Sequence, residues 1–228
     1  MKRKWKLWMI AFVVFVMTDI MMQSNRAEAK KRTFTVSSKT IPCSSSYRQK
    51  PYYNKKTKQY YMINSYMRRL STTGGTLKLK KGTYKIPGTI YVPSNVKIVC
   101  ANGVKIKKTK ATGTKKVKST KFLFQMISEE KASGKQNTGK YAASKNASIQ
   151  GNGKVIFDMG NVNGATAVFV GHASGITVSG VRFRNKKGGS YIWIEGSKNI
   201  SVRQCVFERK KDVSGLKNRM AVRLETSN

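Results

Sequence analysis

The sequence predicts an all-β fold, a parallel β-helix whose coils of about 24 residues stack on one another. Three observations carry that expectation. Ala167-Val168-Phe169-Val170 matches Tyr191-Ile192-Trp193-Ile194 at an offset of 24 residues, and the same offset relates Ile176-Thr177-Val178 to Ile200-Ser201-Val202 and Phe183 to Phe207. Short alternating strands broken by Gly, Pro and Asn occupy the chain from Leu77 onward, which is the punctuation of stacked strands and tight turns. An amphipathic helical pattern occurs only ahead of them. A β-sandwich also uses short alternating strands, but it gives no residue-by-residue match at a fixed offset. A leucine-rich repeat would show its own Leu/Asn spacing, which is missing.

Residues 1–29 read as a secretory signal peptide. A cationic start (Lys2, Arg3, Lys4, Lys6) precedes an apolar run from Leu7 to Met17, and Ala27-Glu28-Ala29 fits a small-residue cleavage site. The apolar run is shorter than the roughly 20 residues a membrane span needs. Residues 30–57 form a basic N-terminal segment expected to be poorly ordered. The β-helix domain is placed at 58–228, opening with a helical cap at about 58–70 and coils from about 75. In the cap, Tyr61, Ile63, Tyr66, Met67 and Leu70 recur near helical spacing, and Gly74-Gly75 ends the helix. A cap is needed because an open coil edge would recruit other strands.

Leu77 to Leu79, Thr89 to Val92, Val96 to Cys100 and Val104 to Lys107 give the first short strands. Ser148 to Gly151 and Val155 to Met159 resemble an earlier copy of the repeat with altered spacing, and Ala221 to Glu225 begins a later one after an insertion around Lys211 to Arg219. No second cap pattern follows, so the chain is expected to be C-terminally truncated relative to longer solenoids.

The formal net charge is +37, from 46 basic and 9 acidic residues, and 39% of residues are hydrophobic. That is enough apolar content for a core and too much for a disordered polybasic tail. A field of this size draws polyanions, and scattered lysines also keep a protein soluble. Three cysteines (Cys43, Cys100, Cys205) are too few for a disulfide framework, and two of them fall at apolar strand positions, where buried thiols are expected. No Cys/His spacing suggests zinc and no cluster of acids suggests calcium, so no metal and no cofactor is expected.

The segment "GGTLKLKKGTYKIPGTIYVPSNVKIVCANGVKIKKT", followed by "GHASGITVSGVRF" and "SKNISVRQCVF", resembles the opening of exported right-handed parallel β-helix proteins of the pectate lyase and polygalacturonase superfamily of Gram-positive bacteria. The resemblance covers roughly residues 60–228. It implies a right-handed helix, an extracellular or cell-wall setting and a polysaccharide partner. Gly171-His172-Ala173 matches part of the polygalacturonase Gly-His-Gly pattern.

Strand alternation supplies a candidate site. If Val168/Val170, Ile192/Ile194 and Val222/Leu224 face the core, then Phe169, Trp193 and Arg223 stack outside, and Gly171, Glu195 and Glu225 stack beside them. Glu195 and Glu225 would then be neighbours at the strand spacing of about 4.8 Å, where two like charges push their proton affinities apart. A retaining glycosidase holds its two carboxyls roughly 5 to 5.5 Å apart. His172, the only histidine, falls one position further along and one coil earlier. It is placed either to move a proton or bond a sugar, or to end its strand against a turn backbone. Phe169 and Trp193 are candidate sugar-stacking surfaces, Arg223 a two-point partner for a uronate carboxylate, and Asp158 a candidate for the same row.

The leading expectation is thus cleavage of an acidic glycan by a hydrolase using Glu195, Glu225 and His172. The alternative is a non-catalytic polysaccharide-binding or wall-binding protein on the same scaffold. Lyase chemistry is disfavoured by the scarcity of clustered acids. The expected partner is an acidic polysaccharide or anionic wall polymer, met by a secreted monomer that leaves the membrane once its signal is cut. No nucleic-acid motif or basic-aromatic interleaving is present.

Overall fold

The computed structural model describes residues 32–134, 138–160, 162–208 and 220–226. The predicted signal peptide and the insertion around residues 211–219 therefore lie outside the described residues. Strand β1 (Arg32–Val36) and helices α1 (Ser45–Arg48) and α2 (Lys58–Leu70) precede the coils. Strands β2 (Gly75–Leu79), β3 (Gly82–Ile86), β4 (Ile90–Tyr91), β5 (Val96–Cys100), β6 (Val104–Lys108) and β7 (Phe122–Gln125) follow, then the short helix α3 (Glu129–Ser133). The remaining strands are β8 (Ser148–Gly151), β9 (Ile156–Asp158), β10 (Thr166–Gly171), β11 (Ser174–Ser179), β12 (Arg182–Arg184), β13 (Ile192–Glu195), β14 (Lys198–Arg203), β15 (Val206–Phe207) and β16 (Val222–Glu225).

Successive strands visit three parallel sheets in rotation. The first is β1-β2-β5-β8-β11-β14, the second β3-β6-β9-β12-β15 and the third β4-β7-β10-β13-β16. This is a right-handed parallel β-helix, as the sequence predicts. The 24-residue offset is the pairing register itself: Val168 pairs with Ile192, Ile176 with Ile200 and Phe183 with Phe207.

The turn into the first sheet explains the Gly and Asn punctuation. Gly74, Asn95, Asn146, Gly175 and Asn199 come one per coil, all with φ between 52° and 67°. Only glycine, and asparagine at low cost, adopts this left-handed conformation readily. The corner from the first to the second sheet is tighter still. A Cβ on Gly180 would lie 2.3 Å from the Gly151 carbonyl oxygen, and one on Gly151 would lie 2.2 Å from that of Gly180, so neither position accepts a side chain.

Inward residues fill the coil interior in columns. Phe124, Phe157, Phe183 and Phe207 form an aromatic stack with centroid separations of 5.2, 5.5 and 5.2 Å. Cys100 is a fully buried free thiol, its pKa pushed up to about 12 by burial, while Cys205 is half-buried and Cys43 exposed. The expected buried thiols are thus found at Cys100 and in part at Cys205.

The N-terminal cap is larger than the sequence predicts. Helix α2 occupies the expected 58–70 span and buries Tyr61, Met62, Ile63, Met67 and Leu70. The segment 30–57, expected to be poorly ordered, supplies β1, which pairs along its full length with β2, and α1, which buries Tyr47. The reason is edge protection: β1 covers the open side of β2 and buries Val36, a gain that outweighs the basic composition around it. Tyr47 donates to the Glu129 carboxylate of α3, tying the cap to a later coil.

Lys108 breaks the pattern, because it occupies an inward position and is fully buried. Its ammonium donates to the carbonyls of Pro87 (2.9 Å), Gly88 (3.2 Å) and Phe122 (3.0 Å) and to Thr120 Oγ1 (3.1 Å), so it clamps both ends of the loop at 109–121. Burial lowers its pKa from 10.5 to about 7. Between those values the unfolded chain binds the extra proton and the folded chain does not, so stability is expected to rise by a few kcal/mol as pH climbs from about 7 to about 10. Below about 7 both states are protonated and this slope vanishes. Denaturant melts of wild type and Lys108→Met across that range check it, the variant losing this component of the slope.

Candidate functional site

The third sheet carries the candidate site. Its register pairs Phe169 with Trp193 and Trp193 with Arg223, and Gly171 with Glu195 and Glu195 with Glu225. Val168, Val170 and Ile192 are fully buried, and Ile194 and Val222 pack against the core. Phe169, Trp193 and Arg223 therefore point outward as predicted, each half-buried. Leu224 departs from expectation. It shares the column of Ile194 yet is 72% exposed, because β16 has no strand on its far side among the described residues.

The outward aromatics pack on one another. Phe122 stacks flat on Phe169 at 4.5 Å, and Trp193 meets Phe169 edge-on at 5.1 Å. Two cations lie over the Trp193 ring, Lys121 Nζ at 4.5 Å and the Arg223 guanidinium at 4.6 Å from its centroid. Attraction to the ring quadrupole holds them there. The Trp193 ring thus carries both cations in this structure.

The two glutamates differ in their engagement. Glu225 Oε1 accepts from Arg223 Nε at 2.6 Å and from its Nη2, and Glu225 Oε2 accepts from Trp193 Nε1 at 2.8 Å. Both oxygens are committed to donors of the same cluster. The Glu195 side chain meets no hydrogen-bond or ion-pair partner among the described residues. The corner that holds it is built by Ser197, whose hydroxyl donates to the Val170 carbonyl (3.1 Å) or the Glu195 carbonyl (2.9 Å) and accepts from Ala173 N–H (3.0 Å).

His172 takes up the turn position. Its φ is +51°, its N–H donates to the Glu195 carbonyl at 3.0 Å, and its own carbonyl accepts from Ala143 N–H at 2.9 Å. These backbone bonds account for its place at the corner. The register sets it one residue past the Gly171 and Glu195 pair, beside Gly196.

Asp158 does not join the row. It belongs to β9 in the second sheet, where its side chain is 4% exposed and pairs with Lys105 (3.1 Å) and Arg184 (3.5 Å). Desolvation works to raise its pKa, but bonds from Asn185, the Gly160 N–H and Lys105 outweigh that and hold it below the usual value. The third-sheet row continues from Phe169 to Gln125 of β7, while Asp158 ends β9 and pairs with Arg184 of β12.

Sequence reasoning missed three residues of this site. A cavity of about 570 Å³ opens beside Glu225, lined by Lys140, Tyr141, Ile194, Ser197 and Leu224 among others. Tyr141 is exposed at its rim, with Lys198 Nζ 4.6 Å from its ring centroid. Lys121, Lys140 and Tyr141 come from loops without strand periodicity. Only the three-dimensional path shows that Ala143 and Asn146 bond to His172 and Ser174, which brings the second loop to the corner.

No group of three or more potential metal ligands occurs among the described residues, and none of their helices is long and apolar enough to cross a membrane.

No family model matches the chain and no curated protein matches it by sequence. Among solved structures, PfbA, a surface adhesin of Streptococcus pneumoniae, aligns with a TM-score of 0.55 at 14% identity over 86% of this chain and 43% of its own. An iota-carrageenase complexed to iota-carrageenan fragments aligns with a TM-score of 0.44 at 17% identity over 78% of this chain and 42% of its own. The iota-carrageenase of A. fortis, from family GH82, aligns at 0.40 and 20% identity over 72% and 39%. The chain thus spans less than half the length of each of these structures. The adhesin likeness supports the class already defined by the sheets, the right-handed parallel β-helix.

Proposed function

We propose that this protein is an extracellular polysaccharide-binding β-helix whose third-sheet face engages an acidic, uronate-type glycan without cleaving it. The observation that carries this reading is the Arg223, Glu225 and Trp193 cluster. A general acid or a nucleophile needs a carboxyl oxygen free to face the glycosidic bond, and both Glu225 oxygens already take N–H donors within the protein. What the face offers instead is two cations set over one aromatic ring, with Tyr141 and the cavity alongside. That combination suits a sugar carboxylate and an adjoining ring. The resemblance of the first coils to the pectate lyase and polygalacturonase superfamily, the predicted signal peptide and the fold shared with a surface adhesin support an exported, glycan-facing protein.

Cleavage is the second reading, favoured by the pairing of Glu195 with Glu225 across adjacent strands. In it Glu195 acts as the free carboxyl, and the glycan displaces Arg223 from Glu225.

Binding to immobilised polygalacturonate and to a neutral glucan of equal length tests the first reading. Saturable binding to the uronate polymer, with the neutral chain at least about tenfold weaker, is expected from a site built on cations. Equal affinity for the two would remove the acidic glycan as partner.

A further inference from the structure

The connection between β6 and β7 differs from its counterparts in the other coils. The loop at 109–121 carries Lys110, Lys115, Lys116, Lys118 and Lys121 and no acid, and the corresponding connections at 87–89, 159–165 and 185–191 are shorter. Runs of like charge repel one another and are ordinarily unstructured. This loop is instead tied down at its base and at its turn.

At the base, Thr109 N–H donates to the Ile86 carbonyl (3.2 Å) and Thr120 N–H to the Pro87 carbonyl (3.1 Å), beside the buried Lys108 ammonium that holds Pro87, Gly88, Thr120 and Phe122 together. Within the loop Thr112 is 4% exposed, and its hydroxyl donates to the Thr114 carbonyl (2.9 Å) or the Val117 carbonyl (2.6 Å). Asn54 of the N-terminal segment donates to the Thr112 carbonyl at 2.9 Å. The turn passes through Gly113 at φ +77°, where a Cβ would lie 2.9 Å from Asn54 Oδ1. Buried polar bonds thus hold in place a loop that its own charges work to open.

The loop and the next coil enclose a cavity of about 500 Å³. Lys110, Lys115 and Lys118 line it beside Thr114 and Ser119, with Asn163 from the next coil. All three lysines are exposed and form no salt bridge among the described residues. No acid and no aromatic side chain lines the cavity among those residues. Three placed positive charges therefore converge without a counter-charge from the protein. Lys121, at the loop's end, is engaged elsewhere, over the Trp193 ring.

We propose that the loop at 109–121 is a binding site for a phosphodiester polymer without bases, of the polyol phosphate kind, with successive phosphates set among Lys110, Lys115 and Lys118. The site is separate from the Arg223 cluster and does not depend on the acidic-glycan reading. An ammonium is a compact point charge that meets a phosphate from any direction, whereas planar carboxylates are matched best by the guanidinium fork, and the loop contains no arginine. Thr114 Oγ1 accepts from Lys116 N–H at 3.2 Å, which leaves its own hydrogen to donate to a phosphate oxygen. A nucleic acid fits less well, because single-strand binders stack bases on aromatic side chains and this cavity has none among its described residues.

The test measures binding of glycerol phosphate polymer, single-stranded DNA and polygalacturonate by calorimetry at several salt concentrations. Lys110→Gln/Lys115→Gln/Lys118→Gln is compared with Lys78→Gln/Lys97→Gln/Arg203→Gln, which removes equal charge from exposed positions of the first sheet, and thermal melts confirm that both fold. The loop variant should bind glycerol phosphate polymer at least about fivefold more weakly, with a log-log salt slope shallower by about 2, and the first-sheet variant should stay within about twofold of wild type. Thr112→Val keeps every charge and removes the loop's internal bonds. It should weaken binding by about threefold without changing the salt slope, which counts only the phosphates neutralised. Equal losses in the two charge variants, or wild-type affinity in Thr112→Val, would assign binding to unplaced net charge and overturn the proposal. Single-stranded DNA bound as tightly as glycerol phosphate polymer, and lost equally in the loop variant, would reassign the site to nucleic acid. Wild type that binds no glycerol phosphate polymer removes the site outright, and polygalacturonate binding sensitive to Arg223→Gln would still leave the third-sheet reading standing.

Discussion

Replacing Phe183 by alanine is expected to destabilise the protein by about 3 to 5 kcal/mol, the largest effect of any single substitution considered for this fold. Phe183 is fully buried and touches aromatic rings on three sides, Phe157 at 5.5 Å, Phe207 at 5.2 Å and Tyr191 at 5.6 Å. In a solenoid each coil is stabilised mainly by its two neighbours, so a cavity at this level weakens two interfaces at once. The midpoint of urea unfolding should drop steeply. A loss below about 1 kcal/mol would mean that the aromatic stack is not what joins these coils.

Arg223→Gln should have the largest effect on binding. It removes one of the two cations over Trp193 and releases Glu225 from its principal partner, leaving an acid where the glycan's carboxylate would sit. A hydrogen bond to a charged group contributes about 1.5 to 3 kcal/mol, so affinity for polygalacturonate should fall at least about tenfold. Melting should change little, because the pair is partly exposed and such pairs contribute little to stability. Glu195→Gln is the matched control. Its side chain has no described partner, and removing a negative charge from the face should leave uronate affinity unchanged or slightly higher. Weakening of equal size in both variants would contradict the assignment of recognition to Arg223.

The architecture was legible because a parallel β-helix writes its pairing register into the sequence. The offset between Val168 and Ile192 is both a sequence period and a hydrogen-bonded partnership, and strand alternation then places Phe169, Trp193 and Arg223 outside. Helix α2 was legible for a similar reason, since its apolar face is periodic. Local periodicity failed where pairing decides. Asp158 ends β9, and its pairing with Arg184, rather than any match to the Glu195 and Glu225 row, is what places it on the second sheet. Strand β1 was hidden because pairing with β2, rather than its own five-residue pattern, gives it order.

The register of this row was legible, and the partners of its carboxylates were not. Stacking Glu195 on Glu225 was the expected geometry, and the register supplies it. The sequence could not show that the Glu225 carboxylate turns back onto Arg223, two residues before it on the same strand, and onto Trp193 one coil away. Which of several reachable donors a carboxylate chooses depends on side-chain rotamers and on the approach of loops. Lys121 and Tyr141 arrive by such loops, and no spacing rule relates them to Glu225.

The most direct test of binding without cleavage is to incubate the full protein with polygalacturonate at saturating concentration and follow reducing ends, together with the absorbance of unsaturated products. The account predicts bound polymer with neither signal rising above the protein-free control. Reducing ends that accumulate with wild type and disappear with Glu195→Gln would contradict it, and would make Glu195 the working carboxyl of a hydrolase.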